Sequence, residues 1–282
     1  KSFGKRVFPS YDLTKADVVV SVDADFLSSW GSTSENTWQY AVRRNPDMPM
    51  NRHFQFEARM SLSGANADKR VMIKPSQVPA VVLALHDAVA KKTGGASVGG
   101  GAVDGVSDNI EKCAAELVAA KGKSLVICGH NDEGTQTIVN SINMMLGNYG
   151  STIDLANHSW LKQGDDAAVQ QLVKDMNAGS IGAVLIAGVN PVYSLPNGAE
   201  FAAGLKKVGL SVSFSGHRDE TANLCSSICP DHHWLESWND FMPKPGHYAL
   251  AQPAITPLFN TRQWPETLLT WSGAPGNYHD HI

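Results

Sequence analysis

Short runs of apolar, mostly β-branched residues alternate with longer segments whose apolar residues recur at helical spacing. The runs at 17–22, 54–58 and 71–73 predict strands. The segment 77–92 predicts a helix, because its apolar residues form one stripe and Pro79 falls in the first turn, where proline is tolerated.

Beyond residue 107 this alternation becomes more regular. It predicts helices over 108–120, 135–146, 167–177 and 198–207, and strands over 124–128, 183–186 and 210–214. Such alternation indicates right-handed β-α-β units. The expected fold is α/β, with two Rossmann-like lobes whose mostly parallel sheets are covered by helices on both faces.

A glycine-rich segment, residues 93–107, interrupts the pattern with the sequence TGGASVGGGAVDGVS. It has no large apolar residue and predicts a flexible linker or a long surface loop. We therefore expect a first lobe at 1–92, the linker or loop at 93–107, and a second lobe at 108–282.

Composition excludes several classes of protein. Of 282 residues, 43% are hydrophobic and 18% charged, which is typical of a folded chain. With 23 basic and 27 acidic residues, the formal charge of −4 argues against binding nucleic acid. In the uncharged stretch 176–199 only 181–189 is densely apolar, whereas a membrane span needs about 20 apolar residues, so we expect no direct span.

The loops that leave the predicted strands are the places to look for a ligand, because ligands bind beyond the carboxyl ends of parallel strands. Three such loops are small, polar and contain glycine: 129–134, 187–198 and 215–221. In the third, Asp219 or Glu220 is suited to accept hydrogen bonds from a ribose or a guanine edge. None of the three is a Gly-x-Gly-x-x-Gly or Walker loop, and ordinary turn chemistry explains each equally well.

Other reactive residues give weaker patterns. Cys225 and Cys229 would share one helix face, with the adjacent pair His232-His233 nearby, but half-buried thiols are the more common outcome of this spacing. Asp23 and Asp25 follow the first strand and suit either a cation or a solvated strand end. Ser215, His217 and Asp219 lie in one loop, which rarely supplies a catalytic triad.

Several motifs occur in an order typical of one family. They are Gly129-His130, Leu146-Gly147-Asn148-Tyr149-Gly150, Gly188-Val189-Asn190-Pro191 with Pro196, and Glu220-Thr221-Ala222 with Pro230 and Glu236. On these residues the chain resembles the molybdopterin oxidoreductase superfamily, of the dimethyl sulfoxide reductase and formate dehydrogenase type. The resemblance implies a crevice for the guanine dinucleotide end of the cofactor, with Asn190 and Asp219 on the guanine and ribose.

A narrower resemblance rests on the stretches 15–26, 50–52, 64–70, 219–222, 235–238 and 252–258. These look like the large periplasmic iron–sulfur subunit of bacterial alternative complex III. That resemblance implies a central piece of a longer polypeptide, periplasmic and membrane-associated through its complex. It also implies iron–sulfur clusters elsewhere in the subunit, and contacts with other domains of that subunit and with membrane and cytochrome subunits.

The narrower resemblance implies that this region holds no molybdenum cofactor, so the expected function is a cofactor-free scaffold in a quinol-oxidising complex. In keeping with it, no residue is identifiable as a molybdenum ligand, and Asp23-Ala24-Asp25-Phe26 stands where related enzymes carry a second Asn-Pro loop. Two alternatives are a domain that binds molybdopterin guanine dinucleotide, and a relict nucleotide site used for regulation. No catalytic or metal-ligating residue is predicted, and whether the chain takes part in catalysis is left open. The candidate residues of a vestigial guanine-dinucleotide crevice are Gly129, His130, Gly188, Asn190, Pro191, Pro196, Asp219, Glu220 and Thr221.

Aromatic residues crowd between positions 234 and 271. They are Trp234, Trp238, Phe241, Tyr248, Phe259, Trp264 and Trp271. Such rings favour interfaces, so the segment suits packing on neighbouring domains or subunits, and ordinary internal packing is an equally good explanation. Low exposure of the rings would favour internal packing.

Overall fold

The computed structural model describes residue 4 and residues 7–161 and 163–282. It divides into two compact units, residues 1–160 and 161–282. The observed boundary differs from the predicted one at 93–107. The reason is strand pairing: the strand at 124–128, which we assigned to the second lobe, joins the sheet of the first.

The first unit is built on a four-stranded parallel sheet. Its elements are β1 Phe8–Tyr11, β2 Val18–Val22, α1 Thr33–Val42, β3 Arg52–Glu57, α2 Leu62–Ala65, β4 Lys69–Met72, α3 Val78–Thr93, α4 Ser107–Ala119, β5 Ser124–Cys128, α5 Glu133–Met145 and β6 Ile153–Ser159. The strand order β4-β3-β2-β5 places β2 between β3 and β5. The chain adds β3 and β4 on one side of β2 and then adds β5 on the other side. The gap between the carboxyl ends of β2 and β5 is therefore the topological switch point.

Both faces of this sheet are covered, as predicted. Val18, Val20 and Val22 lie in a core shared with α3, α4 and α5, while Val19 lies in a second core with Phe26. Alternate side chains of a strand point to opposite faces, so this division follows from the continuous apolar run of β2. The parallel α/β architecture is confirmed.

The outer edge of β5 is closed by side chains instead of another strand. The amide of Asn143, on α5, accepts a hydrogen bond from Val126 N at 3.1 Å and donates one to Val126 O at 2.8 Å. Asn148 donates to Asn143 Oδ1 at 2.8 Å, and Thr152 donates to Ser124 O at 2.7 Å. These buried groups satisfy backbone atoms that an edge strand would otherwise leave unpaired.

The glycine-rich segment is a loop within the first unit. Asp87 of α3 holds it, because its carboxylate accepts hydrogen bonds from Ser97 Oγ, Val98 N and Gly100 N. A Cβ on Gly100 would lie 2.3 Å from the carbonyl oxygen of Leu83, so only glycine allows this close approach to α3. Composition predicted the loop, and the carboxylate gives it a fixed path.

The second unit contains a smaller parallel sheet. Its elements are α6 Asp166–Asn177, β7 Ala183–Ile186, α7 Pro191–Ser194, α8 Gly198–Leu205, β8 Leu210–Ser213, β9 Ser227–Ile228, β10 Asn239–Lys244, β11 His247–Ala251 and α9 Trp264–Trp271. The sheet order is β7-β8-β9, and β10 and β11 form a separate antiparallel hairpin. Val184 and Ile186 of β7 form the core with α6 and α8.

Candidate functional site

The candidate residues fall into two groups, one in each unit. Gly129 and His130 follow β5 in the first unit, whereas Gly188, Asn190, Pro191, Pro196, Asp219, Glu220 and Thr221 follow β7 and β8 in the second. Each group lies at the carboxyl ends of parallel strands, where ligands bind in open α/β sheets.

Gly129 lies at the switch point of the first unit, in direct contact with the loop that follows β2. Its N–H donates to Val22 O at 2.9 Å, and a Cβ on Gly129 would lie 2.0 Å from Asp23 O. Asp23 has a φ of 53°, a left-handed conformation that is uncommon for residues other than glycine. Gly129 thus makes room for the carbonyl of a strained residue.

His130 interacts with its own loop. Its Nδ1 lies 3.3 Å from Asp132 N, and its carbonyl oxygen accepts a hydrogen bond of 2.6 Å from Gln136 Nε2. Asp132 in turn caps α5, since its carboxylate accepts hydrogen bonds from Thr135 N at 2.7 Å and from Thr135 Oγ1 at 2.9 Å. These hydrogen bonds attach the loop after β5 to the first turns of α5.

In the second unit, the loop after β7 turns at Gly188, whose φ is 68°. Pro191 is buried in the first turn of α7, and the exposed Pro196 precedes the turn into α8. A Cβ on Gly198 would lie 2.1 Å from Val192 O, so glycine is needed where α8 begins. These residues shape a compact turn between β7 and α8.

Asn190, Glu220 and Thr221 form one hydrogen-bonded network, here called the Asn190 clasp. Asn190 Nδ2 donates to Glu220 Oε2 at 2.7 Å, and Thr221 Oγ1 donates to Asn190 Oδ1 at 2.6 Å. Thr221, which is fully buried, also accepts a hydrogen bond from Val192 N at 3.0 Å. The clasp ties the loop after β7 to the loop after β8, and it uses both ends of the Asn190 amide.

The two carboxylates beside the clasp differ in their surroundings. Asp219 Oδ1 accepts a hydrogen bond of 2.7 Å from Ala222 N and so stabilises the next turn. Glu220 is exposed, and the hydrogen bond from Asn190 lowers the pKa of its carboxyl group. Glu220 is therefore ionised at neutral pH and strengthens the clasp as a charged acceptor.

The residues of the second unit that would contact a guanine dinucleotide already hold one another or their own loop. Recognition of guanine and ribose by Asn190 and Asp219 would need an amide and a carboxylate that face the ligand. The Asn190 amide is instead engaged at both its oxygen and its nitrogen, and Asp219 already accepts a backbone hydrogen bond. A ligand that displaced the Thr221 hydroxyl from Asn190 Oδ1 would break the clasp and leave that buried hydroxyl without its acceptor.

The weaker candidates resolve into structural roles. Cys225 and Cys229 do not share a helix: Cys225 ends a short 3-10 helix and Cys229 follows β9. Burial raises the pKa of the Cys128 thiol to about 11, which makes it unreactive. Asp25 is held by Ser63 N and Ser63 Oγ, at 3.0 and 2.8 Å. Among the described residues no group of three His, Cys, Asp or Glu is placed to hold a metal ion.

The adjacent histidines also lie outside any helix face. His232 Nε2 lies 3.1 Å from Thr261 O, and His233 precedes the 3-10 helix Trp234–Glu236. Glu236, one of the motif residues, accepts hydrogen bonds from His233 N and Leu258 N. The motif residue Asn148 likewise serves the edge of β5. Both motif positions therefore maintain the fold.

Rings of the aromatic segment are largely exposed. Trp234 is 69% exposed and Phe259 77%, and Phe241, Tyr248 and Trp271 are about half exposed. Trp264 and Trp271 contact Phe214, with ring centroids 6.3 and 6.0 Å apart. This exposure disfavours purely internal packing and favours a surface that contacts other polypeptides.

The fold and the loops define a class: α/β units with parallel sheets and ligand-type loops at the carboxyl ends of their strands. No family model matches the chain. The chain is similar to the menaquinone reductase, molybdopterin-binding-like subunit, of Nitratidesulfovibrio vulgaris, with 25% identity over 305 aligned positions that cover 94% of this chain and 44% of the relative. This similarity confirms the resemblance to the molybdopterin oxidoreductase superfamily.

Two solved structures share the fold. Acetylene hydratase from Pelobacter acetylenicus matches with a TM-score of 0.60 and 11% identity over 95% of this chain and 49% of that chain. The formyltransferase/hydrolase complex from Methylorubrum extorquens matches with a TM-score of 0.51 and 14% identity, over 93% and 76%. The chain spans about half the length of the curated relative and of acetylene hydratase.

No helix in the described part of the chain is long and apolar enough to cross a membrane.

Proposed function

We propose that this chain is a cofactor-free scaffold domain in the iron–sulfur subunit of a quinol-oxidising respiratory complex. It is an oxidoreductase-like domain, and its relative is a subunit of a quinone reductase. The finer assignment, to the periplasmic subunit of alternative complex III, rests on the stretches of sequence named above.

The observation that carries the scaffold role is the Asn190 clasp. In a ligand-binding loop, polar side chains at the carboxyl edge of a sheet are held ready for the ligand. Here Asn190, Glu220 and Thr221 bind one another and fix the two loops without help from a ligand. These hydrogen bonds order the loops after β7 and β8, as a bound dinucleotide otherwise would.

The exposed rings support a role in assembly. A scaffold needs apolar surface that neighbouring domains or subunits can bury, and Trp234 and Phe259 offer it. We assign the partners to other domains of the same subunit and to membrane and cytochrome subunits. The location that follows from this assignment is the periplasm, with attachment to the membrane through the complex.

Analysis of the purified full-length subunit for iron, molybdenum and pterin tests the proposal. We expect iron from clusters elsewhere in the subunit, with molybdenum and pterin well below one equivalent. Stoichiometric molybdenum or pterin would overturn the scaffold assignment. The variant Asn190→Ala adds a second readout, because opening the clasp should lower the stability of the second unit and leave the metal content unchanged.

In the alternative function, a molybdopterin guanine dinucleotide would bind beside the clasp and share the Asn190 amide with Glu220 and Thr221. Melting temperatures measured with and without guanosine diphosphate address it, since a ligand of the native state must raise stability. Stabilisation that disappears in Asn190→Ala would favour this alternative, whereas equal melting temperatures with and without the nucleotide would favour the scaffold.

A further inference from the structure

We infer that the carboxyl edge of the first unit's sheet is an oxyanion-binding edge whose donors are occupied by the chain's own carboxylates, Asp25, Glu57 and Asp132. These residues follow or end three neighbouring parallel strands, β2, β3 and β5. The inference goes beyond the proposed function, because it concerns the first unit and names phosphate-type anions as the ligand class that is shut out.

Glu57 fills a cradle that glycine leaves open. Its carboxylate accepts hydrogen bonds from Ser61 N at 3.1 Å and Ser61 Oγ at 2.6 Å, and it pairs with Arg70 Nε at 2.6 Å. A Cβ on Gly64 would lie 1.9 Å from Glu57 Oε1. The space above Gly64 is the kind of cradle in which a backbone approaches a phosphate closely, and the Glu57 carboxylate occupies it.

Asp25 and Asp132 occupy the donors on either side of the switch point. Asp25 Oδ1 accepts from both the N–H and the hydroxyl of Ser63. Asp132 Oδ2 accepts from both the N–H and the hydroxyl of Thr135, in the first turn of α5. The N-terminus of a helix that follows such a strand is where a pyrophosphate binds in related folds. Here that position already carries a negative charge.

The fold and these residues therefore disagree about a dinucleotide cofactor. A guanine dinucleotide carries a pyrophosphate, which needs free N–H and O–H donors and a positive or neutral surrounding. The donors of Ser61, Ser63 and Thr135 are taken, and an incoming phosphate would meet like charge at close range. The guanidinium of Arg70 is likewise neutralised by Glu57, with side chains 27% and 2% exposed.

The variant Glu57→Ala tests whether an oxyanion can replace the carboxylate. It empties the space above Gly64, frees the donors of Ser61 and leaves Arg70 without its carboxylate partner. The matched control is Glu116→Ala, which makes the same chemical change beside Arg52. Arg52 begins β3 and therefore lies at the amino edge of the same sheet. The probe is inorganic pyrophosphate at about 10 mM, compared with sodium chloride of equal ionic strength.

We expect the unchanged protein to melt at the same temperature in both solutions. Glu57→Ala should melt at a lower temperature in chloride, and pyrophosphate should raise that temperature by about 3 to 5 °C, the effect of millimolar affinity. Glu116→Ala should not respond. If Glu57→Ala does not fold, Asp132→Gly, which frees the donors of Thr135 and places a residue that N-caps tolerate, is read in the same way.

Either of two results would overturn the inference. One is stabilisation of the unchanged protein by pyrophosphate to the same extent as the variant. The other is a response of Glu57→Ala no greater than that of Glu116→Ala. Neither depends on the molybdenum and pterin content of the subunit, so failure here is distinguishable from failure of the proposed function.

Discussion

Acidification should destabilise the first unit through His53. Its ring is completely buried, with Tyr40 Oη 3.0 Å from Nδ1 and Gln55 Oε1 3.2 Å from Nε2. Phe26 packs against it, with ring centroids 5.2 Å apart. Burial disfavours the charged imidazolium and lowers the pKa of His53 to about 4, although the hydrogen bond with Gln55 partly opposes the shift.

The sign and size follow from proton linkage. Since the folded pKa lies below the unfolded value of about 6.5, the unfolded chain binds more protons between these values. The stability that neutral His53 contributes is therefore present above pH 6.5 and is lost as the pH falls toward 4. The full difference corresponds to about 3 kcal/mol, and the loss between pH 7.5 and pH 5 to about 2 kcal/mol.

Native-state hydrogen exchange of the β2 and β3 amides, at pH 7.5 and pH 5, measures this loss within the first unit. His53→Gln should reduce the pH dependence by about 2 kcal/mol, whatever its effect at neutral pH. The control His247→Gln, at an exposed histidine of the second unit, should retain the full dependence. Equal pH dependence in the unchanged protein and His53→Gln would refute the argument.

Three further experiments test the roles of Gly129, Asn143 and the aromatic segment. Gly129→Ala should lower the free energy of unfolding by about 2 to 3 kcal/mol in urea titrations, because its Cβ would collide with Asp23 O. The control Gly101→Ala, where a Cβ meets open space, should change the same quantity by less than about 0.5 kcal/mol. Asn143→Ala should cost about 2 to 4 kcal/mol in the same titration, since it leaves the N–H and C=O of Val126 buried and unpaired, and an unchanged midpoint would contradict the assigned role. Trp234→Ala with Phe259→Ala should reduce the amount of partner subunits that copurify with the protein, whereas Trp38→Ala, at an exposed ring outside the aromatic segment, should not. Undiminished copurification of the double variant would argue against the aromatic segment as a contact surface.

Local patterns predicted most elements of the two sheets. The predicted strands 124–128 and 183–186 match β5 and β7, because apolar β-branched runs bounded by glycine leave few alternatives. The helix α1 has no apolar stripe to find, since it buries Asn36 and Gln39 beside Tyr40. The strand β6, with the sequence IDLANHS, pairs with the distant β1, and no alternation marks it.

Local sequence patterns do not predict contacts between residues that lie far apart in the chain. Which sheet β5 joins depends on its pairing with β2, more than a hundred residues earlier, so the boundary at 93–107 did not follow from composition. At the candidate site, motif order pointed to Asn190, Glu220 and Thr221, but their mutual hydrogen bonds depend on geometry across two loops. The sequence places Asp132 in the candidate loop 129–134, and Asp132 followed by Thr135 is a common capping pattern, but the contact of Glu57 with Arg70 depends on the pairing of two strands.

The number of strands in the first unit's sheet depends on the direction in which the Asn143 side chain of α5 points. Because one side chain of α5 takes the hydrogen bonds that a further strand would use, its direction decides whether β5 is the last strand. A single inserted residue ahead of Asn143 would turn that amide away by about 100°. The freed edge would then be open to a strand from another molecule. Mutations in α5 that move Asn143 should therefore favour association of two molecules through the edge of β5, although α5 contributes no strand itself.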